Sequence, residues 1–380
     1  MRRDHNRLFN ANRLKLGIFA ANCSGGMAIT KIPERWDASW ENNLALARMA
    51  DAAGIEFMLP IARWIGYGGE TDFQGSVLET MTWAAGLLAA TSAITVFSTV
   101  HTAFIHPIVA AKQGATIDQI GRGRWGLNIV CGWNKPEYDM FGLALPDDHG
   151  LRYAQGQEWW DIVRRMWSEQ AGFDYPGRFF DVRAVQGAPK PWGGTMPPVL
   201  NAGYSPDGRD FGARNVDFLF TLLIDLDGAA EKVDAVKQQA RALGREVGVF
   251  TPVYVVCRPT RKEAEDFHHY YAVEHADHEG AEHLMQLQGL YARRYPPDLI
   301  EQFRIRFAGG HGCLPLIGTP DDIADTLERI AKAGFGGATL SFVDYLAELP
   351  YFRDEVLPRL ERKGLRCPAG KDGAGGSGTD

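Results

Sequence analysis

Eight short apolar runs, interleaved with segments of helical periodicity, restrict the folds open to this chain more than any other feature. The runs lie at 14–20, 55–59, 94–99, 125–130, 198–202, 217–222, 249–257 and 337–342. Several are almost continuously apolar, as strands buried on both faces of a parallel sheet must be. Apolar residues at helical spacing fill 39–53, 77–90, 107–120, 152–168, 229–243 and 320–333 between them. Ser39 is placed to cap the first of these, and Pro107 and Pro320 stand where a first helical turn tolerates proline. Eight strands alternating with helices is the arithmetic of an α/β fold, the (β/α)8 TIM barrel. A doubly wound open sheet shares the alternation, but no GxGxxG follows the first run and no GxxxxGK[ST] occurs.

The barrel is expected over 14–366 as one domain, after an N-terminal arm (1–13) and before a Gly-rich tail (368–380) expected to be disordered. Roughly 80 residues separate the last two runs, too many for an ordinary connection. The segment from about 258 to 316 reads as a helical insertion between strands 7 and 8, over the barrel mouth, and as a mobile lid. A length of 380 residues suits a barrel with insertions, and a hydrophobic share of 45% supplies its core. A net charge of −7 without a basic tract argues against nucleic acid as a partner. No apolar stretch is long enough for a membrane span, and the polar start is unlike a signal peptide. Five widely spaced cysteines fit a reduced, cytoplasmic protein better than a disulfide framework.

In such a barrel the chemistry lies at the carboxyl ends of the strands. Those ends carry Ala62, Arg63 and Trp64 after the second run, and Thr99, His101, Phe104 and His106 after the third. The fourth supplies Asn128, Trp133 and Glu137, the fifth Gly203, Tyr204 and Ser205, and the eighth Phe342. Asn128 interrupts an apolar run, so its amide must find partners or cost a few kcal/mol. Arg152, followed by Tyr153, stands near a helix start, where a cation opposes the dipole unless an anion sits there too. Ser205 precedes Pro206 and a helix, a place for an N-cap or for a phosphate. His101 and His106 serve equally well as loop-capping histidines; for Arg63 an ion pair is the lesser alternative, while Glu137 reads more readily as a solvated loop acid. His268, His269, His275, His278 and His283 are crowded together, yet only His275 and His278 have ligand spacing; a solvated helix face is the favoured reading, and no metal is expected. HExxH, CxxC and GxSxG are absent, and no base adjoins Cys131 in sequence, which reads as a packing residue.

Several stretches together resemble one family, the bacterial luciferase-like flavin-dependent monooxygenases, over about 14–365. They are AAKQGATID at 110–118, GRWGLNIVCGW at 123–133, Arg152-Tyr153, NAGYS at 201–205 and IGTPD at 317–321. Residues 57–73 are similar to the branch of pyrimidine, dimethyl-sulfone and hexachlorobenzene monooxygenases. The resemblance implies a TIM barrel that uses reduced FMN (FMNH2) and O2, with a separate NAD(P)H:flavin reductase as partner and a homodimeric or homotetrameric state. It implies flavin contacts at Ala62, Arg63, Thr99, Asn128, Glu137, Arg152, Tyr153, Gly203 and Ser205. Thr99 and Asn128 would flank the meeting of oxygen with flavin N5, as in a flavin-N5-peroxide route, with cleavage of a C–N, C–S or C–halogen bond in a small heteroatom-bearing substrate. On this reading Trp64, Phe104, Trp133 and Phe342 form a dry substrate mouth, and His101 and His106 orient substrate or shuttle a proton. The pyrimidine enzyme has apolar or small residues at these two positions, which turns the expectation away from a uracil-like substrate. The alternatives are a deazaflavin (F420)-dependent hydride-transfer enzyme on the same fold and a flavin-binding barrel without turnover.

Overall fold

The computed structural model describes residues 6–203, 205–291 and 295–368. Residues 1–5 of the arm, Tyr204 and the tail from 369 lie outside them. The strands are β1 (Lys15–Phe19), β2 (Phe57–Leu59), β3 (Thr95–His101), β4 (Trp125–Val130), β5 (Phe173–Pro176), β6 (Asp181–Val185), β7 (Val199–Asn201), β8 (Phe218–Phe220), β9 (Gly248–Cys257), β10 (Leu314–Gly318) and β11 (Gly337–Ser341). The helices are α1 (Trp40–Ala52), α2 (Thr80–Ala90), α3 (Pro107–Gly121), α4 (Lys135–Met140), α5 (His149–Ser168), α6 (Pro206–Asn215), α7 (Ala229–Ala242), α8 (Arg261–His269), α9 (His278–Leu287), α10 (Pro297–Gly310), α11 (Pro320–Lys332), α12 (Tyr345–Tyr351) and α13 (Leu357–Arg362). None of these helices is long and apolar enough to cross a membrane.

Eight parallel strands close in the order β1-β2-β3-β4-β7-β8-β9-β11, with β11 returning to β1. This is the expected (β/α)8 barrel. Ser39 caps α1 as expected, accepting a hydrogen bond from Asn42 N. Two helices begin elsewhere than the apolar spacing suggests, because caps set their starts: Glu79 accepts from Met81 N and Thr82 N to begin α2, and Asp148 accepts from Gly150 N to begin α5.

Alternation along the strands divides the core in two. One set of side chains faces the helices, among them Leu16, Ile18, Val96, Leu127 and Ile129. The other fills the lumen. Phe57 and Phe250 come from strands that are not neighbours, yet their rings stack 5.4 Å apart, and Phe97 and Phe218 complete the layer. Side chains at Gly17, Gly126 or Gly337 would run into these rings, so glycines opposite phenylalanines make room for the plug. Above it on the same inward face of β3 and β4 come Thr99, His101 and Asn128.

The long connection after β9 holds α8, a π-helical turn (Tyr270–Glu274), α9 and α10, and then a strand that the sequence reading did not foresee. That strand, β10, adds in parallel to residues 253–257 of β9, above the point where β8 stops pairing. The insertion is also pinned to the strand-end loops. Asp277 accepts from Thr71 N and Oγ1 at 2.8 and 2.7 Å, His283 Nδ1 donates to Tyr67 O at 2.7 Å, and Arg306 donates to Leu223 O at 2.9 Å. In this conformation these bonds dock the insertion on the strand-end loops. His268 is equally occupied, its Nε2 lying 3.1 Å from Tyr254 Oη. Among the described residues, no three His, Cys, Asp or Glu side chains gather as a metal site would require.

Candidate active site

Register brings the first pair together. Thr99 of β3 and Asn128 of β4 are directly paired partners, and both face the lumen. Asn128 Nδ2 donates to Thr99 Oγ1 at 3.1 Å, and Thr99 Oγ1 donates to Pro60 O at 2.6 Å. The hydroxyl is thereby fixed as donor to the backbone and acceptor from the amide. Asn128 Oδ1 is left buried without a partner. An unsatisfied buried acceptor costs about 1–3 kcal/mol, so this position calls for a ligand that donates.

A second cluster joins a loop and a helix whose residues are 74 apart in sequence. Arg63 Nη1 donates to Glu137 Oε1 at 3.0 Å, and Trp64 N donates to the same oxygen at 2.9 Å. Glu137 comes from α4, and both side chains of the pair are buried. Glu137 is therefore no solvated loop acid. The Arg63 guanidinium also lies over the rings of Tyr67 and Trp133, at 4.8 and 5.2 Å. Glu137 Oε2 and Arg63 Nε remain buried and unpartnered.

His101 stands two residues above Thr99 on the same face of β3. Its Nε2 is 3.9 Å from Glu137 Oε2, beyond hydrogen-bonding reach. Burial, reinforced by Arg63, pushes its pKa down to about 3, so the ring is neutral at physiological pH. With Ala62, Arg63, Trp64, Thr99 and Phe104 it lines a small cleft that opens to solvent. Phe104 stacks on Phe141 with centroids 4.3 Å apart, and Trp64 meets the same ring edge-on.

The third cluster lies at two helix starts. Arg152 is buried in the first turns of α5, and its Nε donates to Pro146 O at 2.6 Å. Ser205 caps α6, accepting from Gly208 N at 3.1 Å. Tyr153 packs on Phe211, and a Cβ on Gly203 would come within 2.6 Å of Tyr153 Oη. The glycine thus lets that hydroxyl approach the turn from β7 into α6. Gly203 N is itself held by Asn201 Oδ1 at 2.9 Å.

Three expectations need correction. His106 is exposed; its Nδ1 accepts from Ile108 N to cap α3, and its ring meets Phe180 edge-on, away from the cleft. Phe342 is buried in the layer between barrel and helices, against Tyr345 and Phe352. Inward positions on β11 fall at Gly337, Thr339 and Ser341, so the next residue turns outward. The mouth is open as well: Trp64 and Trp133 are 40% and 37% exposed. Cys131 packs as expected. Burial raises its thiol to about 12, far from a nucleophile's range.

One residue at this end, His311, escaped the sequence reading. Tyr67 Oη and His311 Nε2 are both buried without partners, with ring centroids 5.9 Å apart. His311 comes from the insertion, where it ends α10 in the left-handed conformation at φ 55°. A non-glycine residue at such a position is a signal, but one that only coordinates reveal.

The luciferase-like monooxygenase family model matches residues 14–336. Pyrimidine monooxygenase RutA of Escherichia coli is 30% identical over 367 residues, 94% of each chain. Among solved structures, riboflavin lyase RcaE, with modified FMN and its substrate riboflavin, superposes with a TM-score of 0.82 at 21% identity, over 93% of both chains. DmoA from Hyphomicrobium sulfonivorans superposes with a TM-score of 0.83 at 20% identity, over 93% of this chain and 89% of that one. The structural likenesses carry the fold, while the extent of the family match and the sequence identity to RutA carry the kinship: this chain belongs to the luciferase-like, flavin-dependent monooxygenases.

Proposed function

We propose that this chain is the oxygenating component of a two-component monooxygenase using FMNH2 and O2. Its substrate is a small heteroatom-bearing molecule that loses a C–N, C–S or C–halogen bond. The observation that carries the reading is the buried Thr99–Asn128 pair, with Asn128 Oδ1 awaiting a donor at the mouth end of the lumen. FMN suits what is present. A flavin ring edge offers both donors and acceptors to Asn128, Arg63 and Glu137 without adding charge. Its phosphate suits Arg152, Ser205 and the α6 N-terminus, where glycine lets Tyr153 Oη approach. When bound, reduced FMN supplies the electrons that activate O2.

The side chains then divide the work. Arg152, Tyr153, Gly203 and Ser205 hold the phosphate end. Ala62, Arg63 and Glu137 border the ring. Thr99 and Asn128 would meet oxygen beside the bound flavin, as the N5-peroxide route requires. Trp64, Phe104 and Trp133 flank the substrate. FMNH2 comes from a separate NAD(P)H:flavin reductase, and the working form is a homodimer or homotetramer in the cytoplasm.

Anaerobic titration with photoreduced FMN, followed by oxygen uptake over a panel of pyrimidines, sulfones and haloaromatics, tests this reading. Saturable binding with substrate-dependent uptake and product is expected. Hydride transfer with reduced F420 and no oxygen uptake would move the assignment to a deazaflavin enzyme; flavin binding without turnover would leave a carrier barrel.

A further inference from the structure

The charges around the cleft do not balance toward the positive side. Arg63 is its one lining cation among the described residues, and Glu137 cancels it at 3.0 Å. Glu79 stands at the rim, its carboxylate accepting from Met81 N and Thr82 N at the start of α2. An anionic substrate entering here would leave water, meet Glu79 and find no free cation, a cost nothing in the lining offsets. The lining offers flat faces: the Phe104 ring, backed by Phe141, and the His101 ring 5.0 Å from it.

We propose that this cleft takes an uncharged, flat substrate that donates a hydrogen bond, and that His101 is the residue that receives it. The inference rests on reading the cleft as the substrate chamber of a flavin monooxygenase. His101 lines the cleft, and a neutral imidazole carries one proton, so its other ring nitrogen is an acceptor. The ring is neutral, so it adds no cation to draw in an anion. Sulfonates and polycarboxylates are thereby disfavoured, and uncharged aromatic O–H donors such as phenols are favoured. His101 sets specificity through the substrate and not through the flavin.

Phenol and benzoate make the test, since they share a ring and differ in charge and donor. Protein loaded with FMN is titrated with each at neutral pH, following tryptophan fluorescence from the rim. Phenol should bind about tenfold tighter or more. His101→Phe should weaken phenol about fivefold or more, and His101→Gln, which keeps an uncharged acceptor, should restore most of it. Benzoate binding as well as phenol, neither ring binding, or phenol indifferent to His101→Phe would each overturn the proposal. The same titrations on FMN-free protein separate the two readings. Failure to bind FMN with the phenol preference intact would sink the proposed function alone, whereas FMN binding without the preference would sink this inference alone.

Discussion

Replacing Asn128 by alanine removes two things at once: the donor to Thr99 and the unpartnered Oδ1. If the pair guides oxygen, turnover should fall on the order of 100-fold, as when one preorganised polar group is lost from a reacting centre. FMNH2 affinity should change far less, because the phosphate end is untouched. Single-turnover kinetics beside anaerobic titration would show this, and equal activity in the variant would remove the role. Arg152→Ala should do the reverse, weakening FMN binding by about 1.5–3 kcal/mol, the range of a charge-assisted hydrogen bond. Unchanged affinity by calorimetry would take Arg152 out of the phosphate site. Thr99 and Asn128 were legible in sequence because each interrupts or ends an apolar run with a polar side chain. The Arg63–Glu137 pair was not, since nothing local says that residues 74 apart will meet. Phe342 misled because strand period was not carried one residue further.

At the scale of elements, the base of the barrel is tied by a buried carboxylate. Glu56, just before β2, accepts from Leu16 N at 2.8 Å and Arg366 Nη1 at 2.7 Å through Oε2, and from Asn10 Nδ2 at 3.1 Å through Oε1. One side chain thus joins the N-terminal arm, the first two strands and the chain beyond the last helix. Glu56→Ala would leave Arg366 buried and uncompensated, so a loss of about 3–5 kcal/mol is expected. Urea unfolding would report it as a lower midpoint; a midpoint within error of the parent would refute the clamp. The eight barrel strands were readable because each is an apolar run in a repeating context. β10 was not: Leu314–Gly318 is short, contains Pro315 and lies in a segment of helical character. The β5–β6 hairpin was missed for a related reason. Much of its surface is exposed, so it shows no apolar run at all.

At the scale of the whole molecule, three histidines among the described residues are held neutral, chiefly by burial: His101 and His311 at about 3 and His268 at about 4. Their folded values lie below the free value of about 6.5. The unfolded chain therefore takes up protons that the folded chain refuses, and stability is retained above pH 6.5 and lost as pH falls below it. Asp118 acts oppositely, because burial raises it to about 6 and the folded state keeps its proton longer. Between about pH 4 and 6 the three histidines outweigh Asp118, so stability falls as the pH is lowered. Thermal melts at pH 7, 6 and 5 should show steeply declining midpoints; a flat series would contradict the assignment. The phenylalanine plug has a consequence of another kind. With Phe57, Phe97, Phe218 and Phe250 packed across the lower lumen, the barrel is a vessel with one doorway. A ligand resting against this floor would have to enter before, and leave after, anything that stacks above it.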